Sequence, residues 1–217
     1  MTINYTKAYC IGDSHANTYF GVAQNLESIA FGPNTMHRIA NSGIDSIIGY
    51  LIDKKSIDSN IFYTKDCLLI LAYGEIDVRC HINKQIKIHG RDEQEVIDTL
   101  VTSYINRVIS IRNEYGNNLA VMSVVPPMKI ENDENKIYHS PNFPFIGSDI
   151  ERRDYTIKLN SKLLKECKSN DILFLDVYSD YVTDDGYLIR ELSDNNVHIL
   201  NRDRVINSLI KENLISQ

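Results

Sequence analysis

The chain lacks several features at once, and each absence removes a class of function. Its 23 lysines and arginines are scattered among 29 acidic residues, for a net charge of −6, and nowhere do they cluster. Nucleic-acid binding needs positive charge concentrated against phosphate, so no nucleic-acid partner is expected. No apolar run approaches the ~18 residues that span a bilayer, and the opening "MTINYTKAYC" carries no apolar signal segment. Membrane insertion and secretion are not expected; a cytoplasmic location is. There are only four cysteines, Cys10, Cys67, Cys80 and Cys167, with no CxxC pair. Widely spaced, and in two cases inside apolar runs, they read as reduced structural thiols. The histidines show neither HxH nor HExxH spacing, which excludes the common metal-site patterns. Gly12 and Gly21 stand too far apart to form a phosphate-cradling loop. No metal and no cofactor is expected.

What remains is an ordinary globular composition: 217 residues, 43% hydrophobic and 24% charged. A chain of that length buries roughly 70% of its unfolded surface in one core. No repeat, low-complexity tract or linker divides it, so residues 1–217 read as one domain. Residues 7–11 form a short apolar strand. The segment "NTMHRIANSG" (34–43) predicts a short second strand ending near Ala40. In "IDSIIGYLI" (44–52), Ile44, Ile47, Ile48, Leu51 and Ile52 recur at helical spacing. "DCLLILAYG" (66–74) is continuously apolar at its centre, as a parallel strand covered on both faces requires. A long helix begins at Asp92 and stops at Gly116. A buried strand spans "NLAVMSVVPP" (118–127), ended by its two prolines. An aperiodic loop, 128–148, follows and is expected near the active edge. A helix over 149–168, a strand over 171–177 and an amphipathic helix over 205–215 complete the chain. Strands alternating with helices predict a three-layer α/β/α domain around a mostly parallel sheet.

Three of the apolar segments end abruptly: in Gly12-Asp13-Ser14, in Asn41-Ser42-Gly43 and in Gly74-Glu75-Ile76-Asp77. Ligands of open α/β sheets bind outside the carboxyl ends of the strands, so these segments are expected to meet. His198 stands just before the terminal helix and can reach the same edge. A serine hydroxyl becomes a nucleophile when a neutral imidazole takes its proton, and a carboxylate on the other ring nitrogen fixes the tautomer. Ser14, His198 and Asp194 are the candidates for these three roles. Read alone, Ser14 is equally a helix N-cap and Gly43 a turn glycine, while Asp13 reads as a shaper of the turn and His15 as a satisfied or exposed histidine.

The same residues carry a resemblance. "IGDSH" resembles the first block of the GDSL-like, or SGNH, hydrolases; "NSG" resembles their second block and "DNNVHI" their last, in matching order along nearly the whole chain. The resemblance implies a flavodoxin-like fold and serine-dependent cleavage or transfer of an acyl ester, on sugars or lipids. It assigns the oxyanion hole to the backbone amides of Ser14 and Gly43. The usual spacing places the orienting acid three residues before the histidine, which here is Asn195. Either the loop holds one extra residue and Asp194 serves, or Asn195 orients the ring. The third oxyanion donor is normally an asparagine in a Gly-x-Asn-Asp block, and Ile76 stands in its place. Loss of one such donor costs about 3 to 4 kcal/mol of transition-state stabilisation.

"GEIDVR" resembles a variant of that third block. Glu75 or Asp77 is expected to pair with Arg79, or else Arg79 points at the substrate, with Arg38 a further candidate for that task. Tyr138, in the long loop, is expected to wall the pocket. The expected activity is hydrolysis of a small acyl ester, such as an O-acetylated sugar, through an acyl-enzyme. Acyl transfer to a sugar hydroxyl and a catalytically weak glycan-binding or assembly role remain as alternatives. The expected partner is a small-molecule or glycan ester.

Overall fold

The computed structural model describes residues 5–19, 25–116, 118–130, 142–201 and 203–215. The first half runs β1 (Lys7–Gly12), α1 (Ser14–Tyr19), β2 (Leu26–Ala30), α2 (Met36–Ser42), α3 (Asp45–Asp53), α4 (Ser59–Phe62) and β3 (Cys67–Ala72). A π-helical turn (Asp77–Ile82) leads into α5 (Asn83–Lys87) and the long α6 (Glu93–Tyr115). The second half runs β4 (Asn118–Met122), α7 (Asp149–Ser169), β5 (Leu173–Leu175), α8 (Tyr178–Tyr181), a 3-10 turn (Arg190–Leu192) and α9 (Asp203–Lys211).

All the strand pairs are parallel, in the order β2-β1-β3-β4-β5. This is the flavodoxin-like order, whose switch point falls between β1 and β3. Successive side chains of a strand face opposite ways, and the two cores divide accordingly. Tyr9, Ile11, Leu69, Leu71 and Val121 pack with α2, α3, α6 and α7. Ala8, Cys10, Leu68, Ile70 and Met122 pack with α1, α8 and α9. Three layers result, as alternating strands and helices require. The helix ends are also chemically marked: Asp92 caps α6, Gly116 ends it at φ 72°, and Ser148 with Glu151 forms a capping box on α7. Among the described residues, no helix is long and apolar enough to cross a membrane.

The expected strand over 34–43 is a helix. Met36 and Ile39 are its buried residues and sit three apart, while Thr35 accepts a hydrogen bond from the Arg38 amide as N-cap. The true second strand, "LESIA", lies at the edge of the sheet, with only Leu26 fully buried, so it carries almost no hydrophobic signal. The strand expected over 118–127 ends at Met122, short of its prolines. There Ser123 ties the chain to the end of β5: its amide donates to the Leu175 carbonyl, and its hydroxyl accepts from the Val177 and Tyr178 amides.

Gly12 closes β1 against β3 with no room to spare. A Cβ there would lie 2.2 Å from the Ala72 carbonyl oxygen and 2.9 Å from the Ala72 Cβ. Since the nearest obstacle is backbone, a side chain cannot be accommodated by a rotamer change. Gly12→Ala is therefore expected to destabilise the protein by about 3 kcal/mol or more, seen as a lower urea midpoint; an unchanged midpoint would refute this packing.

Candidate active site

The break after β1 turns directly into α1, and Ser14 opens that helix with its side chain exposed. The segment that carries His198 returns to the same edge from the far end of the chain. Its bend is held by the Ser193–Ile199 bridge and by the Asp194 amide donating to the His198 carbonyl at 2.9 Å. The Asp194 carboxylate accepts from the Asn196 amide at 2.8 Å and from the His198 amide at 3.1 Å. Thus the acid shapes the loop that it serves.

Three side chains line up at this point. The Nδ1 of His198 lies 2.7 Å from Asp194 Oδ2, and its Nε2 lies 3.0 Å from Ser14 Oγ. A carboxylate beside Nδ1 calls for a proton there. Nε2 is then left bare to accept the Ser14 hydroxyl. Burial alone would raise Asp194, but hydrogen bonds from His198 and Asn196 hold its carboxyl below the usual value. Both His198 and Asp194 are half-buried, their side chains 26% and 27% exposed.

The choice between Asp194 and Asn195 falls to Asp194. Asn195 occupies the left-handed region at φ 59°, and its side-chain oxygen accepts from Arg190 Nε at 3.3 Å, away from the imidazole. Asparagine tolerates that conformation better than most residues. It is the extra residue of the loop.

Gly43 does not stand where the sequence suggested. Its amide donates to the Ile39 carbonyl at 2.9 Å as the C-cap of α2, and its surroundings are Asp45 and Arg107. An amide spent on a helix end is not available to an oxyanion. The edge loop that does follow the second strand begins at Phe31, whose amide donates to the Gly12 carbonyl at 2.9 Å, and Gly32 comes next at φ 60°. Its signal in the sequence was the "FGPN" turn after "LESIA", hidden because the strand before it was not recognised.

The third block is an internal network. Arg79 donates to both Glu75 oxygens, at 2.7 and 3.0 Å, and to the Phe143 carbonyl at 2.6 Å, with its guanidinium over the Phe145 ring. Asp77 does not join this pair. It is buried and accepts from the Met36 amide at 2.7 Å and the His37 amide at 3.3 Å, capping α2 from a distance in sequence. Ile76 is buried as well. Asp13 is buried and accepts from the backbone and ring of His15, each at 2.9 Å. Arg38 is exposed on α2; among the described residues, no hydrogen bond or ion pair links its side chain to Ser14, His198 or Asp194. Tyr138 lies outside the described residues.

Among the described residues, no group of three or more His, Cys, Asp or Glu side chains is arranged to hold a metal ion. A cavity of about 440 Å³ opens between α2, the π-helical turn and the start of α6, where His37, Asn41, His81, Gln85 and Arg91 line it. Neither Ser14 nor His198 is among the residues that line it.

The chain matches no family model and no curated protein. Its fold does match solved structures. A GDSL-like lipase from Bacteroides thetaiotaomicron aligns with a TM-score of 0.58 at 12% identity, covering 95% of this chain and 86% of that one. A catalytic mutant of an acetylxylan esterase from Geobacillus stearothermophilus aligns with a TM-score of 0.55 at 12% identity, with both chains fully covered. The chain therefore shares the fold of these structures, a three-layer α/β/α arrangement around a parallel sheet.

Asp77 gives this region a pH signature. Burial pushes its carboxyl up to about 7, against the pull of the Met36 and His37 amides. Between about pH 4 and pH 7 the folded chain keeps a proton that the unfolded chain has released, so stability falls as pH rises, by roughly 4 kcal/mol in all. Asp77→Asn keeps an acceptor for the Met36 amide and cannot ionise. Its Tm relative to the parent is expected to climb between pH 5 and pH 8; a constant difference would contradict the assignment.

Proposed function

We propose that this protein is a serine esterase that cleaves a small acyl ester, with an O-acetylated sugar as the favoured class of substrate. The observation that carries the reading is the continuous contact from Asp194 through His198 to Ser14 at an exposed strand end. Support for the substrate class comes from the likeness in fold to an acetylxylan esterase, an argument by analogy, since folds of this kind host varied chemistry.

In the proposed reaction, His198 Nε2 takes the Ser14 proton as Oγ bonds to the ester carbonyl carbon. The tetrahedral oxyanion faces the Ser14 amide, which lies in the first turn of α1 and has no partner within the helix. Parallel register pairs Gly12 with Ala30, and the Phe31 amide donates to the Gly12 carbonyl. On this reading the second donor comes from the loop that these contacts hold beside the end of β1, with the Gly32 amide proposed for it in place of Gly43. Collapse breaks the carbon–oxygen bond to the alcohol, and Nε2 returns the proton to the leaving oxygen. Water then gives its proton to Nε2 as its oxygen adds to the acyl carbon; collapse breaks the bond from that carbon to Ser14 Oγ, and Nε2 returns the proton to Oγ, releasing the acid and restoring Ser14 and neutral His198. Asp194 holds the imidazole in the required tautomer throughout.

Ile76 favours a second reading, a weak catalyst that retains glycan binding, because no side-chain amide stands at that position. A sugar hydroxyl in place of water in the last step gives acyl transfer. Turnover of p-nitrophenyl acetate separates these readings. Ser14→Ala is expected to lower kcat/KM at least about 10³-fold, and Asp194→Asn up to about 10⁴-fold through loss of the correct tautomer. Undiminished turnover in Ser14→Ala would end the serine-enzyme reading; a parent protein that binds acetylated oligosaccharides without cleaving them would establish the weak-catalyst one.

A further inference from the structure

His15 is a second imidazole at the same strand end, and its two ring nitrogens face two acceptors. Nδ1 lies 2.9 Å from Asp13 Oδ1, and Nε2 lies 3.2 Å from the Val197 carbonyl oxygen. A neutral imidazole has one N–H and can donate to only one of them; with Asp13 as a carboxylate, which only accepts, both contacts are hydrogen bonds when both nitrogens are protonated. The ring is buried, and so is Asp13, whose other oxygen has no hydrogen bond among the described residues. A carboxylate so placed needs a cation beside it. Val197 is the residue immediately before His198, and the His15 and His198 rings lie 4.8 Å apart between centroids.

We propose that His15 is a buried imidazolium that ties the loop bearing His198 to the strand end bearing Ser14, and is thereby a positioning residue for their contact. The proposal rests on the esterase reading for its effect on rate, but not for the state of the ring. The geometry explains how two segments 182 residues apart are held in register beside the reacting atoms: Asp13 anchors the imidazolium from β1, and the imidazolium holds the peptide next to His198. The four-letter pattern that names the GDSL-like proteins has leucine at this position, so leucine is the natural replacement.

Among the described residues, the titratable and charged groups facing His15 include Asp13 just after β1, His198 from the terminal loop and, at longer range, Glu75 and Arg79 from the segment after β3. Burial alone would lower the ring's pKa, but Asp13 outweighs it and leaves it above the usual histidine value, with Glu75 adding to the rise and Arg79 opposing it. Removing the imidazolium takes a positive charge from beside His198 and leaves Asp13 without its cation.

Two measurements test this. The first is the ring-nitrogen NMR signature of His15 in the parent protein at neutral pH, independent of activity. Two protonated nitrogens are expected; one bare nitrogen overturns the proposal. The second compares His15→Leu with the parent on p-nitrophenyl acetate. At pH 8 kcat is expected to fall about 10²-fold with KM little changed, as for a displaced catalytic group. An unchanged kcat, or a rise in KM that accounts for the whole loss, overturns the positioning role. Should the variant fail to fold, the parent's ring spectrum still decides. An undiminished Ser14→Ala rate would sink the esterase reading alone and leave that spectrum as the test of the imidazolium.

Discussion

Parallel pairing of β1 with both β2 and β3 forces the chain to leave every one of these strands at the same edge of the sheet. Whatever chemistry the sequence places just after its strands is brought together by that constraint. The strand order reverses between β1 and β3, which opens a crevice at their carboxyl ends. Ser14 follows one of these strands and Glu75 to Asp77 follow the other. Gly12 keeps the two strands in contact at the point of exit, where any side chain would strike the Ala72 backbone.

The charged residues around this edge are mostly committed to each other or to backbone. Arg79 and Glu75 satisfy one another and pin the segment at Phe143. Asp77 caps α2, and Asp13 holds His15. Such groups give the edge rigidity; a buried charge left unpaired would be costly. Ser14 is exposed, with His198 behind it. A serine that meets solvent, backed by a base whose tautomer is fixed from within, is arranged for attack on an incoming electrophile.

Much of this was legible in the sequence, and the exceptions have physical causes. β3 and the cap residues of α6 stood out because their signals are local: a continuous apolar run, an aspartate N-cap, a glycine stop. Ser14, His198 and Asp194 were recognisable through residue type and order. The edge loop was misplaced because β2 lies at the sheet edge with two adjacent polar residues, Glu27 and Ser28, at its centre, while the helical spacing of Met36 and Ile39 spans too few residues to stand out. The extra residue of the terminal loop became identifiable only through the left-handed backbone of Asn195. The contact of His15 with the Val197 carbonyl could not be read from the sequence, since that partner is contributed by the far end of the chain. Ile76 was visible as a departure from pattern, but its consequence depends on backbone amides that no sequence motif displays.

The central claim is that the Ser14 hydroxyl is activated by His198, and covalent capture tests it most directly. Incubation of the intact protein with a fluorophosphonate, followed by peptide mass spectrometry, is expected to show a single adduct on Ser14 that disappears in His198→Gln. Labelling of another residue, or equal labelling of Ser14 without the imidazole, would contradict the account.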